Sequence, residues 1–134
     1  MSSTPAYWSN RRMGRAVLSA ATTDKSGATT TNIVDILTGV AAGTEITELN
    51  VKADGDPADC VVLIFLHNGT DYRLYTEIDI GNPAAGSATV AAYEELRYYT
   101  GLFLPSASWK IAAAITAVPT AGSVYVWASG GDLT

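Results

Sequence analysis

Between residues 71 and 80 apolar and polar side chains alternate. Tyr72, Leu74, Thr76, Ile78 and Ile80 stand on one parity, and Asp71, Arg73, Tyr75, Glu77 and Asp79 on the other. A period of two places one set on a core and the other in water, as in a half-buried strand. Just upstream, the run CVVLIFL from Cys60 to Leu66 is apolar throughout. Asn68-Gly69 lies between the two segments and signals a hairpin, because both residues tolerate the positive φ of a tight primed turn. The same two-residue beat returns at Trp109, Ile111, Ala113, Ile115 and Ala117, and again at Val124, Val126 and Ala128.

Turn signals punctuate the chain at DKSG, TGVAAG, DGDPAD, HNGT, GNPAAG, LPSAS, PTAG and SGGD. They predict about eight strands, near residues 16–23, 29–37, 44–53, 60–66, 71–80, 88–99, 108–118 and 123–129. The segment AAYEELRYYTGL holds good helix formers, so one or two helical turns compete there with a strand favoured by Tyr98-Tyr99. The predicted fold is all-β: a two-sheet antiparallel β-sandwich, jelly-roll-like, with an immunoglobulin-like Greek key as the alternative. Residues 1–15 are read as an N-terminal arm outside the sandwich, and residues 16–134 as the sandwich domain.

Composition narrows the class. Apolar and aromatic residues make up 48% of the chain and charged residues 16%, which suits a packed domain and not a disordered one. No apolar run reaches the length that spans a bilayer, and the start MSSTPAYWSNRRMGR is polar and basic, so a soluble protein with no secretion signal and no membrane partner is expected. The net charge of −5 is uneven: residues 1–15 carry Arg11, Arg12 and Arg15 and no acid, which leaves −8 on the remainder. A basic arm on an acidic body suits docking to an acidic protein surface or to another copy, and argues against a nucleic-acid groove. Tyr7, Trp8, Arg11, Arg12 and Arg15 are therefore the candidate interface residues.

Candidate chemistry is thin. His67 is the single histidine and sits at the hairpin end, where a structural role is expected over catalysis. One imidazole also speaks against a metal site of the kind that gathers several histidines inside a barrel. Asp54, Asp56 and Asp59 have the spacing of oxygen ligands, but Gly55 and Pro57 make an acidic turn the simpler reading. Glu94 and Glu95 are adjacent, so as strand residues they point to opposite faces and cannot flank one bond. Cys60, the single cysteine, reads as a small buried apolar side chain. Asn68-Gly69-Thr70 fits a glycosylation sequon, and the hairpin explains it as well. No catalytic residue, metal or cofactor is expected. Of Tyr125-Trp127 and Val124-Val126, one pair is expected outside the core, where exposed aromatics serve sugars or subunit contacts.

The chain also resembles a group of small virion proteins of tailed bacteriophages. The similarity lies in the SSTPA start, ILTGVAAGT leading into ITELNVKA, the hairpin VVLIFLHNGTDYRLYTEIDI, LFLP before WKIAAAI, and the terminal GGDL. The resemblance implies a head decoration, or cement, protein on the outer surface of the capsid, made in the host bacterial cytoplasm. It implies a homotrimer that binds the major capsid protein and ties the lattice together, and no enzyme. A tail or fibre component and a carbohydrate-binding module are the alternatives.

Overall fold

The structure is a computed structural model and describes residues 8–134. Eight strands follow in order: β1 Trp8–Leu18, β2 Val34–Thr38, β3 Thr44–Ala53, β4 Cys60–His67, β5 Tyr72–Gly81, β6 Glu94–Leu104, β7 Lys110–Ile115 and β8 Val124–Leu133. The first sheet has the order β1-β8-β3-β6 and the second β2-β7-β4-β5. Every pairing between these strands is antiparallel. Only the β4–β5 connection stays within one sheet, and each of the others carries the chain across the core. This is the expected two-sheet antiparallel β-sandwich. The segment AAYEELRYYTGL resolves as strand β6, because Leu102 and Leu104 must reach the core in extended backbone.

The inward parity of each sheet builds the core. Leu49, Val51, Ile64, Ile78, Ile111 and Val126 are fully buried between the sheets, and burying one such side chain contributes roughly 1.5–3 kcal/mol. The unbroken run CVVLIFL has a second cause. Val62 and Ile64 of β4 face the inter-sheet core, whereas Leu63 and Phe65 join Ala112, Ala114 and Ile33 in a separate cluster. That cluster is roofed by the segment 19–33. The Thr22 N–H donates to the Ile115 carbonyl at 2.9 Å, Lys25 pairs with Glu77 at 2.6 Å, and Gly27 lies against the Tyr72 backbone. A strand covered on both faces reads as continuous apolar sequence.

Four expectations are corrected. Residues 8–15 do not form an arm outside the sandwich: they are the first part of β1, paired with β8 from Trp8↔Leu133 to Arg15↔Trp127. Residues 1–7, including Tyr7, lie outside the described residues. SGGD is not a turn but part of β8, where Gly130 and Gly131 permit close approach. A Cβ on Gly130 would collide with the Glu45 carbonyl oxygen, and one on Gly131 would meet the Trp8 ring.

The β4–β5 hairpin is closed by four residues, with His67 opposite Tyr72, not by a two-residue primed turn. Only Gly69 in this loop takes a positive φ, 95°. Asn68 works through its side chain: Oδ1 accepts from Thr70 N at 3.0 Å and Asp71 N at 2.9 Å. Finally, the even beat of β5 conceals a bulge. Phe65 pairs with Leu74 and Ile64 with Thr76, so Tyr75 is the extra residue. The bulge moves Tyr72 and Leu74 into the roofed cluster while Ile78 and Ile80 remain in the inter-sheet core.

Candidate interface on the first sheet

The outer face of the second sheet is closed by the chain's own segment 19–33, and the first sheet carries most of the exposed large apolar side chains among the described residues: Trp8, Met13, Val17, Leu96, Tyr98 and Phe103. On β1, Ala16 and Leu18 are buried, so Met13, Arg15 and Val17 point outward with Arg11. On β8, Val124, Val126 and Ala128 are buried, and Tyr125 and Trp127 belong to the outer face. Register then sets neighbours across the four strands. Met13 lies beside Ser129, Glu48 and Tyr98, and Arg15 beside Trp127, Asn50 and Leu96. Val17 lies beside Tyr125, Lys52 and Glu94, and Arg11 beside Gly131, Glu45 and Phe103. Trp8 covers Gly131. Met13 and Tyr98 are 67% and 74% exposed, the most open large apolar side chains among the described residues.

Charge on this face is largely segregated, with Lys52 of β3 the exception. Arg11 and Arg15 lie on the β1 edge, and Glu45, Glu48 and Glu94 lie on the β3–β6 side. Neither arginine makes an ion pair among the described residues. The Arg15 guanidinium instead lies 5.4 Å from the Trp127 ring centroid and 5.9 Å from that of Tyr125. It covers the ring faces that a stacked sugar would need. A hollow of about 480 Å³ opens beside these rings, bounded by Lys52, Asp54 and Val90, and another of about 450 Å³ lies between Trp8, Arg11, Met13 and Glu48.

The polar groups around the face are mostly committed to the fold. Asp54 accepts from Ser123 N at 2.6 Å and from the Tyr125 hydroxyl at 3.1 Å. The first contact, reinforced by the second, holds its carboxyl below the ordinary range. The same bond to Asp54 pushes the Tyr125 hydroxyl up. Lys52 donates to the Ala92 carbonyl at 2.9 Å, and Asn50 Nδ2 donates to Glu94 at 3.2 Å.

Of the residues the sequence proposed, the structure brings Trp8, Arg11 and Arg15 to this face and turns Arg12 away from it. Arg12 points inward and donates to Asp132 Oδ1 at 2.9 Å and to the Thr38 carbonyl at 3.0 Å. Thr44 Oγ1 completes the carboxylate's shell at 2.8 Å. Arg12 is thus a staple between β1, β8 and the end of β2. Sequence reasoning missed Leu96, Tyr98 and Phe103 of β6 and Glu45 and Glu48 of β3. The alternation of EELRYY held a signal for the first two, but only the register shows which face they share.

His67 Nδ1 accepts from Gly69 N at 3.1 Å, and its ring sits edge-on to Tyr72 at 4.5 Å. Asp56 accepts from Ala58 N at 3.2 Å, so the acidic segment 54–59 is a backbone-bonded turn. Glu94 bonds Asn50 on the outer face, whereas Glu95 accepts from the Tyr93 hydroxyl at 2.7 Å. Cys60 is buried, which raises its thiol.

No family model matches the chain, and no curated protein matches it. Among solved structures it is similar to the Cyanophage Pam1 capsid asymmetric unit, at 11% sequence identity and a TM-score of 0.47, over 98% of this chain and 93% of that one.

Proposed function

We propose that this chain is a structural protein of a tailed-phage virion: a decoration protein that binds the major capsid protein on the outer surface of the head and stabilises the shell. The observation that carries the reading is the asymmetry between the two sheets. One outer face is sealed by segment 19–33, and the other presents Met13, Val17, Leu96, Tyr98 and Phe103 among Arg11, Arg15, Glu45 and Glu48, none of which makes an ion pair among the described residues. Exposed apolar side chains grouped on one face mark a protein contact surface. The motif resemblance along nearly the whole chain supplies the phage context and, with it, a trimer on the three-fold positions of the lattice. Work of this kind is done by shape and by contact area summed over many copies, without a poised acid or base.

The test uses heads assembled without this protein. Added in purified form, it should bind saturably in a fixed ratio to the major capsid protein and raise the temperature at which heads rupture. Heads that take up none of it at saturating concentration would refute the decoration role.

A further inference from the structure

We propose that the outer face of the first sheet pairs with the same face of a second copy of this chain, across a two-fold axis parallel to the strands. The inference builds on the reading of the chain as a contact protein and names the occupant of its open face.

The face is self-complementary. A two-fold axis in the plane of the contact can run along the strands or across them. Across them, β1 would lie over β1 and set Arg11 and Arg15 against the same arginines. Along them, β1 of one copy lies over β6 of the other and each row of the face keeps its level. Met13 then meets Tyr98, since the two stand at opposite ends of one row. These are the two most exposed large apolar side chains among the described residues, and a thioether against an aromatic ring is a favourable contact. Arg11 arrives above the row of Glu45 and Phe103, and Arg15 arrives between the rows of Glu48 and Glu94. All contacts occur twice, as an isologous interface requires.

The area is sufficient. Four strands at about 4.8 Å spacing, each of about ten residues at about 3.3 Å, span roughly 600 Å² before side-chain relief is counted, near the roughly 800 Å² per partner of a stable interface. The exposed apolar side chains lie on the edge strands β1 and β6, and the central strand β3 carries Glu45, Glu48, Asn50 and Lys52, so in this pairing the apolar contacts run along the two edges with the charges between them. On a shell with trimers at three-fold positions, neighbouring trimers are related by two-folds, so this contact would join one trimer to the next.

The experiment is sedimentation of the full chain, free of capsids, with two double variants. Arg11→Glu with Arg15→Glu makes the face predominantly acidic, leaving Lys52 as its one cation, and Glu45→Arg with Glu48→Arg makes it predominantly basic, leaving Glu94 as its one acid. Wild type should self-associate into even-numbered species. Each variant alone should lose at least about tenfold in association, because it now repels itself, and an equimolar mixture should regain near wild-type association. Circular dichroism should show both variants folded. A wild type with no even-numbered species, or variants whose mixture stays dissociated, would overturn the pairing. Capsid attachment is read separately, so failure of the decoration role leaves this result standing and the converse also holds.

Discussion

Arg12 shows why a residue's chemistry does not reveal its direction. In sequence it stands between Arg11 and Arg15 and carries the same charge, yet strand parity turns it the other way. Its bond to Asp132 is shielded, with 24% of the arginine and 10% of the aspartate side chain exposed. Arg12→Ala would leave Asp132 with Thr44 alone as a side-chain partner and should destabilise the fold by about 2 kcal/mol, read as a shift in denaturation midpoint. Asp54 makes a prediction in pH. Its carboxyl is held below the ordinary value of 3.8, first by the Ser123 N–H. A depressed carboxylate contributes stability above its unfolded pKa and loses it as pH falls through the folded one. Stability should therefore drop below about pH 4, and Asp54→Asn should flatten that part of the pH–stability curve. An unchanged acid limb in the variant would remove Asp54 from the explanation.

At the scale of the element, strands with an apolar inward parity were legible, and strands whose inward positions are polar or glycine were not. β3, β4, β5 and β7 announce themselves by Val, Ile and Leu. The first half of β1 turns Arg12 and Gly14 inward, and the end of β8 turns Gly130 and Asp132 inward, so neither segment has an apolar beat to read. The two polar ends pair with each other, Arg12 beside Gly130. Bulges escape for another reason: one inserted residue, such as Tyr75, changes faces without disturbing the written alternation. Gly130 marks the matching irregularity in β3, where the register shifts between Ile46 and Glu48. Gly130→Ala would force β3 and β8 apart at the Glu45 carbonyl and should cost more than about 2 kcal/mol or abolish the cooperative transition. A thermal midpoint equal to wild type would show that β3 can shift to make room.

At the scale of the molecule, the sandwich class was legible because turn spacing and strand period agreed along the chain. The interface was only half legible. Trp8, Arg11 and Arg15 could be found as a cluster in sequence, but the face also draws on β3, β6 and β8, which pairing brings together from distant positions. The segment 19–33 was read as strand and turn, and its role as a roof depends on Ile33 and Thr22 meeting β4 and β7. It decides which sheet stays open, and so where the molecule can make contacts.

The central claim is that this chain works in many copies as part of a phage head. Quantitative mass spectrometry of virions purified from a phage whose genome carries this gene, as proposed above, measures this directly. The account predicts the chain in fixed proportion to the major capsid protein, of the order of one copy per capsid subunit, and retained on heads separated from tails. Its absence from virions, or a few copies that follow the tail fraction, would contradict it.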